Sequence, residues 1–263
     1  MLEREWKVNF RGFVIWTSIL VILFGAVFLI YPSIITSDNM ESLNEMLKVF
    51  PEDLLRAFNM DISSIDSAFG WIKTEGFVFV LLITGIYSGI LGSGILLKEE
   101  NDKTIEYLNS LPVRRTQIVM NKVAVGLVYI FLTVIVLGVF NYVGLTWSGD
   151  FAKKSYLLLS VTPIFSSIVI FSLCLFLSTF THKTKNTIGL SLGIVFVSYF
   201  LNVISELSEE TEVLKYVSVF TLADIRNVIV DVKINPHLVI VAFGLTILFI
   251  GLTVVRYNKK ELV

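Results

Sequence analysis

Six apolar runs alternate with polar interruptions along the chain, at 12–31, 76–97, 123–147, 156–180, 187–204 and 237–255. Each is close to the roughly 20 residues that a helix needs to cross the hydrocarbon of a bilayer. The pattern predicts an all-α integral membrane protein, a single transmembrane domain over residues 1–263 with six transmembrane helices. A polar lead-in, 1–11, sets Trp6 and Phe10 among charges, which predicts a cytoplasmic helix lying at the membrane surface. The first run is too long for a signal-peptide core and no small-residue cleavage site follows it, so it is expected to be retained as a span.

Two interruptions, 32–75 and 205–236, are too long for simple turns. The first carries Met40, Leu43, Met46, Leu47 and Phe50 at helical spacing. A second helix start follows at Pro51, Glu52 and Asp53, where proline suits a first turn and acids suit the positive end of the helix dipole. The other segment opens acidic and turns amphipathic through Leu214, Val217, Phe220, Ile225, Val228 and Ile229. Both are expected to cap the extracellular face as short amphipathic or re-entrant helices, either packed over the spans or acting as a gate.

A third interruption, 98–122, has the most pronounced internal pattern. Asn101 or Asp102 is a candidate helix cap, Glu99 and Glu100 add acid at the same end, and Pro112 is a stop. Ile105, Leu108 and Leu111 recur every third residue with Tyr107 beside them, while Lys103, Glu106 and Asn109 take the other side. A short amphipathic helix over 104–111 is predicted. Helices that lie on lipid favour Lys and Arg, whereas this one begins with acids, so docking into another protein fits better than lying on the membrane.

Composition agrees with a membrane protein. Hydrophobic residues make up 55% of the chain and charged residues 16%, well below the ~25% of soluble domains. Orientation comes from where the charges fall. Grouping both termini, 98–122 and 181–186 on one side places thirteen of the 21 Lys and Arg there with seven of the 22 Asp and Glu, a net of +6 against −7 on the other side. The positive-inside rule then makes both termini cytoplasmic, in a multi-pass protein of the cell membrane.

Candidate chemistry is sparse. The interiors of the six runs hold no Asp, Glu, Lys or Arg, which argues against a carrier driven by an ion gradient, since such carriers need buried ionisable relays. No G-x-x-x-x-G-K-[ST] phosphate loop and no H-E-x-x-H metal motif occurs. His182 and His237 fall at the ends of runs on opposite sides, with no evident carboxylate partner, and the lone Cys174 sits within an apolar run. No intrinsic catalytic site, metal site or cofactor site is expected. Gly85, Gly89 and Ser93 share one helix face and Gly189 pairs with Gly193, which marks close packing within the chain or a seam between chains. Asn141 and Asn202 are deep enough either to meet a substrate or to hydrogen-bond between helices.

The run Glu99, Thr104, Leu108, Ser110-Leu111-Pro112, Arg115, Ile118 and Lys122 resembles the coupling-helix region of type-2 ABC transporter permeases. Lys103 stands where that family usually has glycine, and Arg114 where it usually has Ser or Thr. Asn9, Ile15-Trp16, Tyr31-Pro32-Ser33, Val217-Ser218-Val219-Phe220 and the ending from Arg256 to Leu262 extend the likeness over the whole chain. The resemblance implies the type-2 ABC exporter transmembrane fold and a permease subunit for a hydrophobic or amphipathic substrate, peptides among the candidates. It implies separate ABC ATPase subunits that bind ATP and magnesium, a second permease subunit as homodimer or heterodimer, and no nucleic acid. The implied ATPase-coupling residues are Glu99, Glu100, Asp102, Thr104, Ile105, Leu108, Leu111, Pro112, Arg114 and Arg115, with Ile105, Leu108 and Leu111 as docking face, the charged residues as polar rim and Pro112 fixing the turn into the third span. The alternative is a membrane scaffold or regulatory subunit that docks an ATPase or sensor without carrying a pathway.

Overall fold

The computed structural model describes residues 2–34, 49, 67–105, 113–149 and 151–260. Six helices among them are long and apolar enough to cross a membrane, and the described residues contain no strand. In chain order the α-helices are α1 (Leu2–Ile34), α2 (Ala68–Trp71), α3 (Phe77–Ile95), α4 (Lys98–Asn101), α5 (Arg115–Ser148), α6 (Lys153–Val161), α7 (Pro163–Ser178), α8 (Thr184–Ser205), α9 (Ile225–Asp231) and α10 (Pro236–Lys259). A π-helical turn, Ile72–Gly76, joins α2 to α3. Two 3₁₀ segments, Glu209–Tyr216 and Phe220–Ala223, lie between α8 and α9.

The bundle is built around α3 and α7. The apolar stretches of the spans Ala68–Ile95 and Lys153–Ser178, which contain them, are 61% and 72% buried, whereas α1, α8 and α10 bury only 17–22% and leave broad apolar faces outward. Such faces are expected of helices whose outer side meets hydrocarbon rather than water. Small residues allow the central contacts. At Gly92 of α3 a methyl group would come within 2.4 Å of the Phe171 carbonyl of α7, and at Gly126 of α5 it would meet the Phe171 ring at 2.4 Å. Ser93 and Ser191 share a hydrogen bond at 2.5 Å between α3 and α8, and Thr17 meets Thr133 at 3.3 Å between α1 and α5.

Of the two small-residue faces, the one on α3 is consumed inside the chain. Gly85 lies against Phe220, Gly89 against Val195 and Ser191, and Ser93 bonds to Ser191. Gly189 and Gly193, in contrast, face open space. Asn202 accepts a hydrogen bond from Thr221 at 3.2 Å, while the buried Asn141 carbonyl oxygen has no partner among the described residues.

Several helices extend beyond their apolar runs. The polar lead-in is not a separate surface helix, because α1 runs unbroken from Leu2. Trp6 stacks on Tyr129 at 4.5 Å and its carbonyl accepts the Tyr129 hydroxyl at 2.6 Å, which holds the lead-in along α5. The second membrane helix begins at Ala68 rather than 76, and the fourth is interrupted at Thr162, where Pro163 removes a backbone donor. The expected capping segment at 205–236 is built from the two 3₁₀ segments and α9, with Phe220 and Val228 buried. The stripe from Met40 to Phe50 and the helix start at Pro51 lie outside the described residues.

Candidate functional site: a buried charge cluster at the polar end

The site begins where α3 ends. After Leu97 the chain makes the single turn α4, which closes in a Schellman arrangement: the Thr104 N–H donates to the Glu99 carbonyl at 2.9 Å and the Lys103 N–H to that of Glu100 at 3.4 Å. Lys103 sits at φ +55°, the left-handed conformation that glycine adopts most easily. A residue with a Cβ holds this conformation at a local steric cost that glycine would not carry. Asn101 and Asp102 thus end a helix instead of starting one, contrary to the capping expectation, and the Asn101 side chain donates to the Leu97 carbonyl at 2.6 Å and to the Thr184 hydroxyl.

The single turn points Glu99 and Glu100 inward, at 3% and 8% exposure. Lys122 of α5, fully buried, donates to both Glu99 carboxylate oxygens at 2.8 and 2.9 Å and to the Ile95 carbonyl at 2.7 Å. It also lies 3.1 Å from the buried carboxylate of Glu5 on α1. One ammonium therefore holds the ends of α1 and α3 to α5. Glu100 performs the same task for the other half: Lys260 meets its Oε1 at 2.7 Å and His182 Nδ1 its Oε2 at 2.8 Å. Lys260 further donates to the Thr181 carbonyl at 2.7 Å, so the turn between α7 and α8 joins the end of α10.

Arg115, the first residue of α5, completes the cluster. Its guanidinium donates to the carbonyls of Lys260, Asn258 and Tyr257 at 2.7, 3.3 and 3.4 Å. The last carbonyls of a helix have no partner within it, so a cation there satisfies acceptors and complements the helix dipole. Both ends of the interruption at 98–122 are thereby fastened to α1, to the α7–α8 turn, to α8 and to α10. The buried pairs of Lys122 and Lys260 fix geometry strongly, because leaving a buried charge unpaired costs several kcal/mol.

The sequence-predicted residues divide accordingly. Glu99 and Glu100 are not rim residues, because each is enclosed in an internal ion pair. Ile105 is 4% exposed within this chain, so it is not part of an open face. Asp102 and Arg114 are exposed, Arg115 grips α10, and Thr104 has a buried hydroxyl without a partner among the described residues. Leu108, Leu111 and Pro112 lie outside the described residues. Glu5, Lys122, His182 and Lys260 are the members that sequence patterning misses. Lys122 offers the one usable signal, because it closes the run from Glu99 that the sequence pattern singles out. His182 does have a carboxylate partner, 82 residues away in sequence, which no local spacing reveals.

Six membrane-length helices, with the charge cluster tying their ends together at one polar face, define a multi-pass membrane protein. The family model for the ABC-2 family transporter protein matches residues 1–262, and the chain belongs to that family of ABC transporter permeases. Its members are membrane transport components, not themselves catalytic, and membership implies association with an ABC ATPase and with the membrane. No curated protein and no solved structure matches the chain.

Proposed function

We propose that this chain is the pathway-forming subunit of an ATP-driven exporter for a hydrophobic or amphipathic substrate, and that the segment 98–122 is where a separate ATPase subunit docks. The observation that carries this reading is the fastening of both ends of that segment, through Glu99, Glu100, Arg115 and Lys122, to the other helix ends at the polar face. A displacement applied to a free loop would be absorbed by the loop. Applied to this one, it moves α1, α3, α5 and α10 together. ATP and magnesium belong to the ATPase, whose closure on ATP supplies the displacement; a second permease subunit completes the pathway. Both termini and the docking segment are cytoplasmic in this reading, supported by the excess of basic residues on that side.

Co-purification with the ATPase tests the docking claim. The wild-type chain retains the ATPase through detergent extraction and stimulates its hydrolysis, and Leu108→Asp loses both while the spans stay folded. A Leu108→Asp chain that binds and transports as wild type removes the docking assignment. No complex with any ATPase favours the scaffold alternative only if a sensor or other partner is retained instead.

A further inference from the structure

An open cavity of about 620 Å³ lies beside the charge cluster, between α1, α3, α4 and the start of α8. That volume is in the range of small-molecule sites. Its lining changes character along the helix axis. Toward the bundle interior the walls are Trp16, Tyr87, Ile90, Leu91 and Ile188; toward the polar end they are Arg11, Lys98, Asn101 and Asp102. From Tyr87 to Lys98 the wall is about 16 Å long at 1.5 Å per residue.

The cations at its mouth differ from those of the cluster. Lys122 and Lys260 are each saturated by carboxylates and carbonyls, whereas Arg11 and Lys98 make no ion pair or side-chain hydrogen bond among the described residues. They face a single acid among the lining residues, Asp102. Two glycines keep the space open: a methyl group at Gly12 meets nothing within 4 Å, and one at Gly94 meets only Thr184 at 3.7 Å.

We infer that this cavity binds an amphiphile with an anionic head and an apolar tail, the head on Arg11 and Lys98 and the tail against Trp16, Leu91 and Ile188. A cationic amphipathic peptide is disfavoured by the same two side chains. That the bound amphiphile is cargo rests on the transport reading above; that it binds does not, so binding is measured on the chain without any ATPase.

The probe is radiolabelled lysophosphatidylglycerol, titrated against the purified chain in phosphatidylcholine nanodiscs and compared with zwitterionic lysophosphatidylcholine. One saturable site is expected, about tenfold or more tighter for the anionic lipid, the effect of two cations near a membrane surface. Arg11→Gln with Lys98→Gln brings the two lipids within about twofold of each other. Gly12→Leu fills the cavity from a position that touches no neighbour and abolishes saturable binding of both. Equal affinity for the two lipids, or undiminished binding in the Gly12→Leu chain, overturns the inference. So does glycerophosphate competing as well as the lipid, because that outcome requires no tail site.

Discussion

Lys122 and Glu99 meet at 2.8 Å with their side chains 0% and 3% exposed, at the polar end of the bundle. The pair is not an isolated surface contact worth a fraction of a kcal/mol. It is the centre of a three-charge group with Glu5, and removing its cation leaves two carboxylates enclosed without a counter-charge. Lys122→Met is therefore expected to destabilise the fold by about 3–5 kcal/mol. Glu5→Gln, Glu99→Leu and Lys122→Met together recover most of that loss, because the unpaired charges are gone. Thermal unfolding in detergent checks both; a Lys122→Met chain that melts like wild type would refute the burial of the pair.

Lys103→Gly should stabilise the chain. Lys103 holds φ +55° at the end of the Schellman turn, and a side chain in that region costs about 1–2 kcal/mol relative to glycine, partly offset by glycine's greater freedom in the unfolded chain. A gain of about 1 kcal/mol is expected, measured as a raised melting temperature. Lys103→Ala, which keeps the Cβ, should give no comparable gain.

Gly92 and Gly193 make a controlled pair. Gly92→Ala drives a methyl group to 2.4 Å from the Phe171 carbonyl, where only a backbone shift between α3 and α7 relieves it, and about 1–3 kcal/mol of destabilisation is expected. Gly193→Ala meets nothing within 4 Å and should leave the isolated chain unchanged or slightly more stable. Comparison of melting temperatures decides it. A Gly193→Ala chain that loses association with a second copy while folding normally would place the open face of α8 between permease subunits.

The six membrane-length helices are legible in the sequence because membrane spanning depends on local properties, length and hydropathy, that a window of about 20 residues reports. The grouping of Glu5, Glu99, Lys122, His182 and Lys260 at one end is partly legible, since the distribution of basic residues already assigns their segments to one side. Which carboxylate meets which cation is not. Lys260 and Glu100 are 160 residues apart, and only the packing of α10 beside α7 and α5 brings them to 2.7 Å. The inward turn of Glu99 and Glu100 escapes pattern reading for a related reason. An acidic run at a loop reads as a solvated surface, yet here a four-residue helix and a left-handed Lys103 rotate both acids toward the bundle.

The most direct measurement of the central claim is ATP hydrolysis by the purified permease–ATPase complex in nanodiscs, with wild type compared with Glu100→Gln. The substitution leaves Leu108 and Leu111 untouched and removes the charge that ties the docking segment to Lys260 and His182, so the melting temperature is read beside the hydrolysis rate to separate lost coupling from lost fold. The ATPase is expected to co-purify in wild-type yield while its stimulation by the permease falls about tenfold, within the usual range of coupling between sites. Wild-type stimulation and transport in the Glu100→Gln chain would contradict the role of the charge cluster in carrying motion into the spans.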